Sequence, residues 1–423
     1  MKILLLCNII PRQVSELLKI KPDTGGGWVH SLIDVLEEYQ EIQITVCFPY
    51  KQNKYFFLED KKNSYYGFHR KIMDPAHYDN SVEAYFKQIL LQEQPDLIHV
   101  FGTEYPHTLA MIRAFHTPER TLVHLQGLCS YCCPAYTYGL PYNVVNHFTF
   151  RDFIRKDNIK QQQKKFQKRG MFEQEALRQS GHVAGRTHWD KACSGQINPK
   201  LSYHYVQEAL RTVFYTGQWD VKSCQRYSIF MSQGAYPIKG LHYALETLAV
   251  LRKKYPNVKL YIAGPDICDF STLIKKLKKS SYSQYIRFLI TQYGLQENVK
   301  FLGMLSDAQM KQQYLACSVF LSASTIENSP NSIGEAMMLG VPVVASDVGG
   351  VSSLIRHEDE GFLYPLNEPY MAAYYIEKLF VDSDLAKKIG KKERIRALEL
   401  YDKNKIVKDT IRVYEKLLKI SSF

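Results

Sequence analysis

The sequence lacks a long hydrophobic run. None of its apolar stretches approaches the ~18–20 residues that a membrane-spanning helix requires. The N-terminal stretch MKILLLCNIIPRQ is apolar only briefly and has no small-residue cleavage site. It is therefore typical of a first strand and not of a signal peptide. We predict a cytoplasmic protein that contacts a membrane at most peripherally, at its inner face.

Metal-binding motifs are also scarce. The chain has nine cysteines, and Cys129, Cys132 and Cys133 in CSYCC form one C-x-x-C without a second pair at zinc-finger spacing. Free thiols in a reducing cytosol fit this pattern better than a metal site. The stretch DSD at Asp382–Asp384 precedes a helical pattern, which favours helix N-capping over metal binding. We expect neither a metal nor a cofactor.

Acidic residues are fewer than basic ones. The 54 Lys and Arg against 42 Asp and Glu give a formal charge of +12, which favours anionic partners. Nucleic acid is disfavoured as a partner because the basic residues do not align with aromatics in a recognisable module. Residues 151–170 carry eight Lys/Arg against two Asp. Two interpretations of this segment stay open: a solvated helix face, or an arm that meets an anionic membrane or a lipid-diphosphate acceptor.

Short apolar runs rich in Val, Ile and Leu alternate with helical patterns along the chain. Most runs are continuously apolar, as strands buried on both faces must be. This alternation predicts an α/β protein with parallel sheets, and the polar stretch 216–226 divides it into two doubly wound, Rossmann-like domains. The predicted strands are KILLLCN, IQITVCF, DLIHVFG, TLVHLQG, HVAGR, YSIFMSQ, VKLYIAG, VKFLG, SVFLSAS and VPVVASD.

The stretch TIENSPNSIGEAM contains two acids, Glu327 and Glu335. In one interpretation Ser332 and Glu335 form an S-x-x-E capping box, and Glu327 is a surface loop acid. In the other, a helix that starts after a strand end offers its N–H groups to an anion. Gly334 in the first turn favours the second interpretation. A glycine in a helix costs about 0.5–1 kcal/mol relative to alanine, and a ligand that must approach the backbone closely would explain why it is present.

Lys239 follows a predicted strand and precedes a predicted helix. A cation there opposes the helix dipole, and a bound phosphate would reverse the sign of that interaction; a solvated lysine is the alternative.

Three glycines, residues 25–27, lie between the first strand and its helix, where their N–H groups could cradle a diphosphate or form only a tight turn. Neither G-x-G-x-x-G nor a P-loop is present.

Three further candidates stand at strand ends in the first half of the chain. His124 and Gln126 lie on one face at the carboxyl end of TLVHLQG, where a core histidine is the alternative. Arg186 lies just beyond HVAG and either reaches a ligand or pairs with Asp190.

The run from FLGMLSDAQ to DVGGVSSLI, residues 301–355, resembles the donor domain of family-4 glycosyltransferases, retaining enzymes of the GT-B fold. The resemblance continues through YPIKGLHYALETL and VKLYIAGPD and, less specifically, GGGWVHSL and PDLIHVFG. Its most specific element is the E-x7-E pair in ENSPNSIGEAM. The resemblance implies a GT-B-like fold whose two domains face a central cleft. Residues 1–220 would bind the acceptor, 221–400 the sugar nucleotide, and 401–423 would form a helix that crosses back to the first domain.

The resemblance also implies roles for single residues. Glu335 would bind the ribose and Glu327 would face the donor sugar. Lys239 would bind the diphosphate, which Gly26 and Gly27 would approach from the other domain. The loop residues near sugar and phosphate would be Asn328, Ser329, Asn331 and Ser332.

Three positions depart from the family pattern. Gly234 occupies the place of an arginine, and Gln126 that of a histidine, with His124 two residues earlier. Ser353 occupies the place of an acid that is common after the glycine pair. Arg186 is a candidate substitute for the missing arginine.

The implied activity is retaining, metal-independent transfer of a hexose from a UDP- or GDP-sugar to a hydroxyl of a glycan or lipid-linked acceptor. Polysaccharide or glycoconjugate synthesis is the expected context. A non-catalytic sugar-nucleotide-binding subunit of a glycan-synthesis complex is the alternative, which Gly234 and Gln126 favour.

Overall fold

The computed structural model describes residues 1–20, 27–50, 55–60, 62–69 and 75–420. The chain divides into two compact units. Unit 1 consists of Met1–Tyr131, Lys165–Ala209 and Tyr401–Phe423, and unit 2 of Cys132–Lys164 and Leu210–Leu400. In the described ranges no helix is both long enough and apolar enough to span a bilayer.

Unit 1 contains an eight-stranded sheet in the order β3-β4-β2-β1-β5-β6-β7-β8. All neighbouring strands are parallel except β3, which runs antiparallel to β4 at the edge. The strands are β1 (Lys2–Leu6), β2 (Gln43–Pro49), β3 (Phe56–Asp60), β4 (Asn63–Phe68), β5 (Leu97–Phe101), β6 (Thr121–His124), β7 (His182–Gly185) and β8 (Ser202–Tyr205).

Unit 2 contains a six-stranded, fully parallel sheet in the order β11-β10-β9-β12-β13-β14. Its strands are β9 (Ser228–Met231), β10 (Lys259–Ile262), β11 (Val299–Phe301), β12 (Val319–Ser322), β13 (Val343–Ser346) and β14 (Phe362–Tyr364). The chain builds outwards from β9 to β11 and then returns to place β12 on the other side of β9. The strand order therefore reverses between β9 and β12, and such a topological switch point is the usual ligand position in these sheets.

Helices connect these strands. Those before β9 are α1 (Arg12–Leu17), α2 (Gly27–Glu38), α3 (Asn80–Glu93), α4 (Pro106–Phe115), α5 (Cys129–Ala135), α6 (Tyr142–Asn146), α7 (Phe150–Arg155), α8 (Ile159–Arg178) and α9 (His188–Ile197). Those after β9 are α10 (Leu241–Arg252), α11 (Leu273–Leu277), α12 (Ser281–Gln292), α13 (Asp307–Ala316), α14 (Asn331–Leu339), α15 (Pro369–Val381), α16 (Ser383–Leu400) and α17 (Lys403–Ile420).

The predicted α/β fold with two parallel-sheet domains is confirmed, and all ten predicted strands are present. In the central strands the apolar side chains are buried on both faces of the sheet, as in Ile3–Leu6 of β1 and Val343–Ala345 of β13. The unit division differs in detail from the predicted boundary at residue 220. Residues 132–164 pack with unit 2, which resumes at Leu210, and Tyr401–Phe423 belongs to unit 1.

Candidate functional site

The loops after β9 and β12 meet directly at the switch point of unit 2. Pro237–Lys239 forms a 3-10 turn, and Gly240 precedes α10 with φ of 66°. A Cβ atom on Gly240 would lie 1.7 Å from the carbonyl oxygen of Ala323, so only glycine permits this approach. The N–H of Thr325 donates to the carbonyl of Ile238 at 2.7 Å. The two loops are thus held together by backbone contacts.

Lys239 and Glu327 form an ion pair at this junction. The Lys239 Nζ lies 2.5 Å from Glu327 Oε1, and the Ser324 hydroxyl donates to the same oxygen at 2.7 Å. Burial acts to lower the pKa of Lys239, but the Glu327 carboxylate outweighs it and the pKa is raised. A charged lysine is therefore fixed beside the start of α10, and its role in binding a diphosphate stays a prediction.

The loop after β13 packs on the Glu327 backbone. The N–H of Gly350 donates to the carbonyl oxygen of Glu327 at 2.9 Å. Gly349 has φ of 56°, and a Cβ atom there would lie 2.0 Å from the same oxygen. Three strand-end loops therefore converge on Glu327.

Gly349→Ala is expected to destabilise the protein by about 1–3 kcal/mol, because alanine must adopt a left-handed backbone and displace Glu327. Urea denaturation measures this loss. Gly195→Ala is the matched control: no atom lies within 4 Å of its added Cβ, and its position in α9 favours alanine. Equal stability of the two variants would contradict the tight packing described for Gly349.

The helix that carries Glu335 begins differently from the sequence prediction. Helix α14 starts at Asn331 with Pro330 at its N-cap and no side-chain cap, so the predicted Ser332–Glu335 capping box is wrong. The Tyr314 hydroxyl donates to the Ser332 carbonyl at 3.0 Å. Within the described ranges, Ser329 Oγ and Asn331 Oδ1 are buried without a hydrogen-bond partner. Burying such polar atoms is costly unless a partner arrives, which suits a ligand-binding loop.

Glu335 pairs with an arginine that the sequence analysis missed. Arg211 donates to both carboxylate oxygens, from Nε at 2.8 Å and Nη2 at 2.9 Å, and its third nitrogen pairs with Asp307. Glu335 is only 3% exposed. Burial raises the pKa of the Glu335 carboxyl, and the bonds from Arg211 oppose that shift. No sequence signal linked these residues, which lie 124 positions apart.

The region that contains these loops is similar to a known protein family. Residues 219–396 match the family model of the group 1 glycosyl transferases. The chain is 28% identical over 196 residues to an uncharacterized glycosyltransferase of Methanocaldococcus jannaschii, covering 46% of each protein. It is also 28% identical over 156 residues to N-acetyl-alpha-D-glucosaminyl L-malate synthase of Bacillus anthracis, covering 37% and 36%. The chain thus spans less than half the length of these curated relatives.

Solved structures extend the similarity to the whole chain at the level of fold. Sucrose-phosphate synthase from Thermosynechococcus elongatus aligns with a TM-score of 0.69 at 16% identity, over 99% of this chain and 100% of that one. Anabaena HepE in complex with UDP-glucose aligns with a TM-score of 0.63 at 19% identity, over 98% and 100%. The fold is therefore GT-B, and the region that matches the group 1 glycosyl transferase model lies within unit 2.

The candidates in unit 1 converge on another residue that sequence reasoning missed, Glu208. Arg186 pairs with Glu208 at 2.7 Å, His124 Nε2 lies 3.4 Å away, and Gln126 donates to the same carboxylate. Burial raises the pKa of Glu208 to about 7, and the Arg186 charge opposes this shift. The guanidinium of Arg186 contacts Glu208, whereas Asp190 accepts from the Arg186 backbone N–H. The catalytic roles of His124 and Gln126 and the donor-binding role of Arg186 stay predictions.

The glycine loop lies mostly outside the described residues. Gly26 is not among them, and Gly27 is the first residue of α2. Gly234, which replaces a family arginine, is described: a Cβ atom there would lie 3.0 Å from Ile262 and 3.1 Å from Leu241. A larger side chain at this position would have to displace those core residues.

The Asp382 stretch caps a helix as predicted. Asp382 Oδ1 accepts from the N–H groups of Asp384 and Leu385 at 3.0 and 2.8 Å, at the start of α16. In the part of the chain that the structure describes, no group of three or more His, Cys, Asp or Glu side chains is placed to hold a metal ion.

Proposed function

We propose that the chain is a retaining glycosyltransferase that moves a hexose from a UDP- or GDP-sugar to a hydroxyl of a glycan or lipid-linked acceptor. The observation that carries this proposal is the Lys239–Glu327 pair at the switch point of the region matched to the group 1 glycosyl transferases. Lys239 and Glu327 stand there at the carboxyl ends of parallel strands, as a fixed cation and an acid that would face the sugar. Polysaccharide or glycoconjugate synthesis is the proposed context.

In the proposed reaction, catalysis depends mainly on stabilising the negative charge that develops on the leaving diphosphate. The bond between the sugar and the diphosphate breaks through an oxocarbenium-like state, and its electron pair leaves with the diphosphate. Lys239 and the backbone N–H groups that begin α10 and α14 face that developing charge. The acceptor hydroxyl then bonds to the sugar carbon with net retention, and its proton leaves with the departing phosphate.

Glu335 and its loop would orient the donor. Arg211 occupies one direction of each carboxylate oxygen, which leaves acceptor capacity on Glu335 for ribose hydroxyls. Ser329 and Asn331 bring buried polar atoms that sugar or phosphate oxygens could satisfy, beside Asn328 and Ser332. Glu327, already held by Lys239 and Ser324, would accept from a hexose hydroxyl.

We further propose that the transfer needs no metal, because Lys239 and helix N-termini supply the positive potential at the leaving group. Turnover in excess EDTA is expected to equal turnover with added Mg²⁺ or Mn²⁺. The measurement is initial-rate release of UDP or GDP from the sugar nucleotide. Loss of activity in EDTA that Mg²⁺ restores would contradict metal-independent transfer.

Nucleotide binding is the first test of the proposal. A ligand at 100 times its Kd stabilises the folded protein by about 2.7 kcal/mol. A thermal-shift series with UDP, GDP and their sugars is therefore expected to raise the Tm with one nucleotide series. The Glu335→Gln variant should respond less than the wild-type chain. Absence of a shift with every nucleotide would overturn the proposed site.

A non-catalytic sugar-nucleotide-binding subunit is the second candidate. Gly234 in place of the arginine favours it, as does Gln126, whose amide is engaged by Glu208. Both candidates predict nucleotide binding, but only the enzyme should hydrolyse the sugar nucleotide slowly when water replaces the acceptor. Binding without any hydrolysis would favour the subunit.

The proposal also covers location and partners. We infer a cytoplasmic enzyme without a nucleic-acid partner. A lipid-linked acceptor would be reached from the inner face of the membrane, with residues 151–170 in peripheral contact with anionic lipid.

A further inference from the structure

Unit 2 exposes a cluster of large apolar side chains around α7. Phe148, Phe150, Phe153 and Ile154 are each between 51% and 74% exposed. Phe148, Phe153 and Ile154 line an open groove of about 600 Å³ together with Lys156 and Gln161. Exposed apolar clusters of this kind mark interaction sites more often than single exposed residues do.

A second apolar and basic segment lies on α11. Leu273, Ile274 and Leu277 are between 46% and 73% exposed. Residues 270–287 hold five Lys/Arg and no acid, and α11 and its flank place Lys275, Lys276, Lys278 and Lys279 among the exposed apolar residues.

The fold brings the two segments together. Asp152 Oδ2, in α7, accepts from the backbone N–H of Ser281 at 2.9 Å. Ser281 begins α12, four positions after Leu277, and it lies 129 positions from Asp152 in sequence. We call the combined area the apolar–basic surface; its residues are Phe148, Phe150, Phe153, Ile154, Arg155, Lys156, Leu273, Ile274, Lys276, Leu277 and Lys278.

The surface is positive because its basic residues outnumber the acids in and beside it. Those acids are paired: Arg151 binds Asp152 at 2.9 Å and Asp157 at 2.8 Å, and Lys275 binds Asp269 at 2.5 Å. Residues 151–164 and 270–287 together hold ten basic and two acidic side chains, a net charge of +8 in a chain whose formal net charge is +12. Arg155, Lys156, Lys276 and Lys278 are exposed.

We propose that the apolar–basic surface docks onto the headgroup region of an anionic lipid bilayer. Phenylalanine, leucine and isoleucine insert at the boundary between headgroups and acyl chains, while lysine and arginine stay with the anionic headgroups. A protein partner fits less well, since lysine is depleted at protein interfaces, whereas here lysines lie among the apolar residues. Bilayer docking does not require the proposed transfer reaction, so the two fail separately.

Co-sedimentation of the full chain with vesicles tests this proposal. Vesicles of phosphatidylcholine with phosphatidylglycerol are compared with vesicles of phosphatidylcholine alone. Binding is expected only with the anionic vesicles and should weaken as salt rises. The double variant Lys276→Gln/Lys278→Gln is expected to bind about 25-fold more weakly, from roughly fivefold per charge. Phe153→Ser/Ile154→Ser is expected to weaken binding at least about tenfold.

Matched controls come from exposed positions elsewhere. Leu91→Ser removes an apolar side chain that is 76% exposed in α3, and Lys387→Gln/Lys388→Gln removes two exposed charges in α16. Both controls should bind like the wild-type chain, and all variants should keep its Tm. Equal loss in variants and controls would overturn the assigned surface.

Two further outcomes would also overturn it. Equal binding to neutral and anionic vesicles would show that the lysine charges do not contribute to binding. A dimer in light scattering that Phe153→Ser/Ile154→Ser converts to a monomer would show that a second copy of the chain covers the surface. Vesicle binding without transfer activity would leave the docking surface standing and remove only the proposed function.

Discussion

Lys239→Ala is expected to lower kcat/KM for sugar transfer by roughly 10²–10³-fold, the loss typical when one preorganised donor to a developing anion is removed. Lys239 is fixed by Glu327 at 2.5 Å before any ligand binds, so its charge costs no reorganisation during the reaction. The proposed role is in leaving-group departure, so kcat should fall far more than the acceptor KM rises. Initial rates at varied donor and acceptor concentrations separate the two.

Lys254→Ala is the matched control for that experiment. Lys254 follows the same helix, α10, at its other end and pairs with Glu377 at the surface. Its removal should leave kcat/KM within about twofold of the wild-type value, since exposed pairs contribute little. An undiminished transfer rate in Lys239→Ala would contradict the proposal that this lysine stabilises the leaving diphosphate.

Most of the strands that the sequence predicted are buried on both faces; β11, a sheet edge with an exposed Lys300, is an exception. Residues such as Leu4 in β1 and Val344 in β13 belong to continuously apolar runs, which only a covered parallel sheet explains. The four strands that were missed are edge or near-edge strands with weaker patterns. Strand β3 is largely exposed and antiparallel, β8 reads SYHY, and β14 has only three residues. Strand β4 is fully buried, but its sequence NSYYGF has no continuous run of Val, Ile and Leu, so its burial could not be predicted from the local pattern.

The candidate site was predictable where strand ends determine position. Lys239 and Glu327 follow strands that a parallel sheet brings side by side, although their direct pairing needed the order β9-β12. The capping box failed because Pro330 takes the N-cap position and α14 starts one residue before Ser332. Glu208 and Arg211 could not be predicted, because long-range pairs leave no local pattern.

Arg211→Ala is expected to destabilise the folded chain by about 3–5 kcal/mol, because it leaves the buried Glu335 carboxylate without its cation. Adding Glu335→Gln to this variant should restore most of the stability, since the second change removes the uncompensated charge. Urea denaturation of the two single variants and the double variant gives the comparison. Arg412→Ala, which breaks a surface pair with Asp409, should cost at most about 1 kcal/mol.

The dependence on pH distinguishes an uncompensated charge from a packing defect. Burial raises the pKa of Glu335, and removal of Arg211 takes away the interaction that opposes this shift. The folded state of Arg211→Ala therefore holds a proton that the unfolded chain releases near its ordinary pKa of 4.5. Stability then falls as pH rises above that value, so the deficit against the wild-type chain should grow towards neutral pH.

The double variant also separates stability from ligand binding. Arg211→Ala/Glu335→Gln should lose the growing deficit at neutral pH, because no buried carboxyl is left at position 335 to titrate. Its affinity for UDP or GDP should stay low, since the proposed ribose acceptor is gone. A double variant that regains both stability and nucleotide affinity would show that Glu335 only anchors Arg211. A deficit that is constant with pH would instead place the effect of Arg211 in its packing against Phe214, whose ring centroid lies 4.7 Å from the guanidinium carbon.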